Sequence, residues 1–158
     1  MICCFTGHRD IPSARVREII RLLDKEIENQ IDRGVTVFRC GGALGFDTLA
    51  ALRVLMHKNL GAKIELHLIL PCKTQSDGWN CDSQDLYRRI ISAADRVEYV
   101  SDEYTTWCMY ARNRKLIDGS DVCIAYLSNR KGGTSYTCDY AAKSNVKVIN
   151  IFDMLPNT

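Results

Sequence analysis

The sequence has little of what marks non-globular chains. Its 158 residues include only 3 Pro and 10 Gly, which excludes collagen-like repeats and argues against extended disorder. Charges interrupt every apolar stretch, so none approaches the about 18 residues that a bilayer-spanning helix needs, and no membrane partner is expected. Neither sign of charge dominates. The 21 basic residues stand against 19 acidic ones, a formal net charge of +2. A dedicated nucleic-acid binder normally carries a basic excess or stripe, so this balance argues against nucleic acid as a partner. There is no CxxC and no paired Cys/His spacing, so no metal site is expected. The opening Met1-Ile2-Cys3-Cys4-Phe5-Thr6 has neither a basic nor an apolar leader segment, and the expectation is a cytoplasmic protein.

What is present points to one soluble domain over residues 1–158, with 46% hydrophobic and 25% charged residues. The 8 cysteines are even in number, and Cys72 and Cys81 flank one loop, so a disulfide is open in principle. A chain of this length closes a core without staples, and the expected compartment is reducing. Cys3, Cys4, Cys40 and Cys123 lie within apolar runs, where cysteine acts as a small hydrophobe.

Two kinds of apolar pattern alternate along the chain. Short β-rich runs cover residues 2–6, 35–40, 64–70, 96–100, 122–127 and 146–152. Between them, apolar residues recur at three and four. Val16, Ile19, Ile20, Leu23, Ile27 and Ile31 predict one long amphipathic helix, with Ser13 as a cap and Gly34 as its end. Phe46, Leu49, Ala50, Arg53 and Met56 predict a second, closed near Gly61. Leu86, Ile90, Ile91 and Ala94 predict a third, capped by Asp82 or Ser83. Helices are also predicted over 105–117 and 134–143. Alternating strands and helices imply an α/β fold with a parallel sheet covered by helices on both faces.

Loops after the helices are short and plain, whereas loops after the strands carry the unusual residues. Ligands of open α/β sheets bind beyond the carboxyl ends of the strands. Gly41-Gly42-Ala43-Leu44-Gly45-Phe46-Asp47 joins a strand to a helix, a setting in which backbone amides and the helix N-terminus suit phosphate. The same segment read blandly is a tight turn. Lys131-Gly132-Gly133-Thr134-Ser135 repeats the device at another strand end, with simple capping as its bland reading. In Thr6-Gly7-His8-Arg9, Gly7 permits a sharp exit and Arg9 suits a bidentate phosphate clamp. His8 is an acid/base candidate, though a loop hydrogen bond is the plainer role. Gln75 and Trp79 lie in the longest loop, where Trp79 either stacks on a base or anchors the loop. Arg112 and Asn113 cannot share a helix face with Arg114 in any simple way. Asp139 follows Gly133 by six positions and is either a pocket carboxylate or a surface acid.

These residues carry a resemblance. Thr6-Gly7-His8-Arg9, the Gly41 to Asp47 segment, and Gln75 with Trp79 after a proline resemble the YpsA-like family. So do Arg112-Asn113 and Gly132-Gly133-Thr134 with Tyr140-Ala141. The match runs in order through nearly the whole chain. That family sits in the SLOG superfamily of Rossmann-like domains, with the DNA-processing protein DprA and the Lonely Guy enzymes. The resemblance implies a three-layer Rossmann-like sheet, of strand order 3-2-1-4-5 with a further strand, and a nucleotide pocket at the strand ends. Lonely Guy phosphoribohydrolases carry Pro-Gly-Gly-x-Gly-Thr-x-x-Glu and a helix arginine. Gly132-Gly133 fit the paired glycines, Asp139 falls near the acid, and Arg112 falls where the arginine is expected. Lys131, Ser135 and the aspartate itself depart from that pattern.

The leading expectation is therefore binding or sensing of a nucleotide-like small molecule, with no cofactor. Amides of Gly41, Gly42, Ala43, Gly45, Gly132, Gly133 and Thr134 would hold phosphate, with Arg9 and Arg112 neutralising charge. Gly7, His8, Asp47, Gln75, Trp79 and Asn113 complete the expected site. The alternative is an N-glycosidase acting on a nucleoside 5′-monophosphate, with Asp139 and Arg112 catalytic and Asp47 as a second carboxylate. A remote alternative is a DNA-associated module. Helix faces bearing Met109, Tyr136 or Tyr140 leave a homo-oligomer open.

Overall fold

The computed structural model describes residues 1–157. The strands are β1 (Ile2–Gly7), β2 (Val37–Cys40), β3 (Glu65–Cys72), β4 (Arg96–Ser101), β5 (Val122–Tyr126) and β6 (Lys147–Asn150). The helices are α1 (Val16–Asp32), α2 (Phe46–Asn59), α3 (Cys81–Ala93), α4 (Cys108–Ile117) and α5 (Gly132–Lys143). All strand pairs are parallel, in the order β4-β3-β2-β1-β5-β6. This is the three-layer α/β architecture that the alternating pattern implies.

The order corrects the expected 3-2-1-4-5. The fourth strand lies outside β3, and β5 takes the place beside β1. The physical reason lies in the two sequences. In β5, Val122-Cys123-Ile124-Ala125-Tyr126 is buried throughout and belongs in the middle of a sheet. In β4, Arg96 and Glu98 alternate with apolar residues and no position is fully buried, as suits an edge. Glu98 pairs there with Lys115 of α4.

Strand pleating divides the core. Cys3 and Phe5 face α1 and α2 together with Phe38, Leu66, Leu68 and Ile124. Cys4 and Cys123, register partners across β1 and β5, face the other side with Ile69, Leu116 and Ala141. All eight cysteines are free, and only Cys81 is exposed.

Helix α4 starts at Cys108, three residues later than expected, and three further local expectations change. Ser13 makes no cap hydrogen bond and lies in a short 3-10 turn (Ser13–Arg15) before α1. The cap of α3 is Asn80, whose side-chain oxygen accepts the Ser83 amide at 2.8 Å, rather than Asp82 or Ser83. Helix α5 starts at Gly132, two residues earlier than its apolar pattern suggests.

Candidate functional site

The chain runs outward from β1 through β2 and β3 to β4, then returns through α4 to place β5 on the other side of β1. Loops leaving β1 and β5 therefore diverge onto opposite faces, and a crevice opens between them. This is the switch point where doubly wound sheets bind ligands. A cleft of about 420 Å³ occupies it, lined by Thr6, His8, Arg9, Asp47, Arg112 and Gly133, among others. Gly7, Ala43, Asn113, Gly132 and Thr134 line it as well, so most of the expected site converges here.

The two glycine-rich loops differ. The first is committed to the protein itself. The Gly41 carbonyl accepts hydrogen bonds from Arg112 and, at 3.4 Å, from Gln75 Nε2. The Ala43 amide donates to Asp47 Oδ2 at 3.2 Å. The Phe46 amide, at the start of α2, donates to the His8 carbonyl at 3.1 Å. A β-carbon on Gly45 would stand 2.1 Å from the Arg9 carbonyl oxygen. The α2 N-terminus is thus closed by the β1–α1 loop, and the segment forms a wall of the cleft.

The second loop is open. Among the described residues no side chain caps α5, and a β-carbon at Gly132 would meet nothing within 4 Å. Gly132 has φ +78°, so it serves the turn as well as the opening. A β-carbon on Gly133 would lie at ordinary contact distance, 3.5 Å, from Asn113 Nδ2. Uncapped first-turn amides of a helix present a partial positive charge to the cleft.

Opposite stands Arg112, only 4% exposed on α4. Its Nε donates to Asn113 Oδ1 at 2.7 Å. Burial lowers the Arg112 pKa, and the nearby Asp47 carboxylate counters this. Asp47 is also buried. Burial pushes its carboxyl from an ordinary 3.8 up to about 6, against Arg112, the Ala43 amide and Arg9, which all favour the charged form. The cleft therefore holds a buried cation beside a carboxyl that titrates close to neutrality.

Six expected residues do not line the cleft: Gly41 is covered by Arg112, Gly42 and Gly45 line a neighbouring cavity, and Asp139, Trp79 and Gln75 stand apart. Asp139 is on the solvent face of α5, 59% exposed in its side chain, with Arg130 at 3.4 Å. Six residues advance a helix by about 600°, which turns Asp139 well away from Gly133. Trp79 packs edge-on against Tyr87 at 5.2 Å and borders neighbouring cavities, so its anchoring role is realised. Gln75 lies behind the Gly41 wall, bonded to the Tyr87 hydroxyl at 3.2 Å. His8 Nε2 accepts the Asn129 amide at 3.5 Å, which ties the loops after β1 and β5 together. Sequence reasoning missed Tyr104 and Thr106, which wall the cleft from the segment leading into α4, and Tyr110 in the first turn of that helix. Their signal was position alone, after the carboxyl end of β4. Arg112 and Arg114 part as expected, the latter lying outside with Tyr136.

The family model described as the YspA SLOG family matches residues 4–154. The chain belongs to this YpsA family. It is 30% identical over 139 residues to a UPF0398 protein of Brevibacillus brevis, covering 84% of this chain and 68% of that one. The SPbeta prophage-derived protein YoqJ of Bacillus subtilis is 29% identical over 119 residues, 68% of this chain and 70% of its own. Among solved structures, DNA processing protein A of Helicobacter pylori superposes with a TM-score of 0.68 at 22% identity. That match covers 100% of this chain and 66% of the other. The Streptococcus pneumoniae DprA gives 0.69 at 16% identity, covering 99% and 50%. The chain thus spans two thirds or less of these structural neighbours, and the likeness shows the shared fold. Among the described residues of this YpsA-family chain, no group of three or more His, Cys, Asp or Glu is placed to hold a metal. Nor is any helix there long and apolar enough to cross a membrane.

Proposed function

We propose that this YpsA-family chain binds a nucleotide or nucleotide-derived small molecule in the cleft between β1 and β5. The observation that carries the reading is the open α5 N-terminus facing the buried Arg112 across the cleft. Both offer positive charge, that of Arg112 being balanced in part by the buried Asp47 beside it. A phosphate at Gly132-Gly133-Thr134 would receive backbone amides, with Arg9 closing from the β1 side.

A second reading, hydrolysis of the N-glycosidic bond, is supported by Asp47. A buried carboxyl titrating near 6 holds or releases a proton at neutral pH, as such chemistry requires. Asp139 faces solvent beside Arg130, so this version assigns the acid to Asp47. Nucleic acid, disfavoured by the charge balance, returns through the DNA-processing neighbours, one of them described as binding single-stranded DNA.

Thermal shift and mass spectrometry with AMP test the three together. Binding predicts a higher Tm with AMP recovered intact, and loss of the shift in Gly133→Val, whose side chain would project into the phosphate position. Free adenine that disappears in Asp47→Asn would establish the hydrolase instead. No response to AMP, with oligonucleotide affinity falling steeply in salt, would overturn both in favour of nucleic acid.

A further inference from the structure

We propose, building on that reading, that the ligand is larger than one nucleotide: two nucleoside-sized moieties joined by a phosphate bridge, with the bridge at Arg9. Two more cavities adjoin the cleft. One, of about 520 Å³, is walled by the loop after β3, including Thr74, Gln75 and Trp79. It shares Arg9, Tyr104 and Met109 with the β1–β5 cleft. The other, of about 340 Å³, is largely apolar and lies against Leu68, Leu86 and Tyr87. Arg9 borders all three, and Trp79 borders the two outer ones. Ligand sites typically occupy roughly 300–1,000 Å³, so the cleft and its 520 Å³ neighbour each have room for a nucleoside-sized group.

Arg9 separates the chambers and is held ready. Its backbone is pressed onto Gly45 and its side chain is exposed. Among the described residues no carboxylate forms a salt bridge with it. An exposed guanidinium on an anchored backbone, bordering two chambers and without a carboxylate partner among the described residues, matches an anion carried at the middle of a ligand. The chamber beyond it is lined by Trp79 and by the polar side chains of Gln75 and Asp77, which suits an aromatic base with hydrogen-bonding edges. Gln75 is already fixed by Gly41 and Tyr87, so little order has to be created on binding.

Calorimetry on the full chain tests the inference. The probes are AMP, a 5′–5′ pyrophosphate-bridged diadenosine, a 3′–5′ phosphodiester-linked diadenosine and a ten-base oligonucleotide. One bridged dinucleotide should bind at least about tenfold more tightly than AMP, because the second moiety binds intramolecularly. Which one does so identifies the bridge. Thr74→Trp, which fills the outer chamber, should erase the advantage and leave AMP affinity unchanged. Trp79→Ala should reduce the ratio of the two affinities. Equal affinity for AMP and both dinucleotides would overturn the inference and leave nucleotide binding standing. Failure of AMP and both dinucleotides to bind would overturn both. Tighter binding of the oligonucleotide than of either dinucleotide would overturn the small-molecule assignment.

Discussion

Asp47 should make the protein less stable as pH rises from acid to neutral. Its carboxyl titrates near 6 when folded and at an ordinary 3.8 when exposed. Between these values the folded state holds a proton that the unfolded chain has released, so stability falls with rising pH. Below 3.8 both states are protonated and the group costs nothing. Above 6 both are ionised, and the cost levels off at about 3 kcal/mol. About 2 kcal/mol of this falls between about pH 4.5 and about pH 7.5. Asparagine matches the neutral carboxyl in shape and carries no charge at any pH. Urea unfolding of the native chain and of Asp47→Asn across that range isolates the effect, since all other groups are shared. The Asn variant should gain about 2 kcal/mol on the native chain as pH rises, with no further gain beyond. Parallel curves would refute the argument, showing that Arg112 and the Ala43 amide fully compensate burial.

Gly7→Ala should destabilise the fold by about 1–3 kcal/mol, read as a lower Tm, because its β-carbon would stand 2.4 Å from the Phe46 side chain. Gly45→Ala should cost at least as much in the same assay. It adds a backbone clash with Arg9 to an unfavourable φ of +78°. Asn80→Ala should cost about 1 kcal/mol through loss of the α3 cap, whereas Asp82→Ala should stay within about 0.5 kcal/mol in denaturant titrations. Asp139→Asn should leave nucleotide affinity unchanged in calorimetry, since its side chain faces solvent beside the exposed Arg130.

Element type and position were legible because burial imposes a period. The apolar spacing of α1 and the unbroken run in β5 define those elements to within a residue or two. Strand order was less open to such reading, since neighbours in a parallel sheet are joined only through distant crossovers. The charges of Arg96 and Glu98 did hold the clue that β4 lies at an edge. At the site, residue types located the cleft: Gly7, His8, Arg9, Arg112 and Gly132 do meet. Local pattern does not say which amides are free. In the first glycine loop the Ala43 and Phe46 amides are taken by Asp47 and the His8 carbonyl, while Arg112 and Gln75 hold the Gly41 carbonyl. Asp139 shows the complementary failure, in which proximity along a helix was right and angle was wrong.

Beneath Gly7 and His8 runs a column of rings. Phe38 stacks on Phe5 at 5.8 Å, Phe5 meets Phe46 at 6.5 Å, and Phe46 stacks on Tyr126 at 5.9 Å. Members of the column come from β2, β1, α2 and β5, so no ring can turn over without several elements parting together. Ring flips of Phe5 and Phe46 should therefore be slow, with the two edges of each ring giving separate NMR signals. A floor of that kind does not remould itself around a guest. On the floor side, shape is set before the ligand arrives, and any accommodation falls to the Tyr104 side of the cleft.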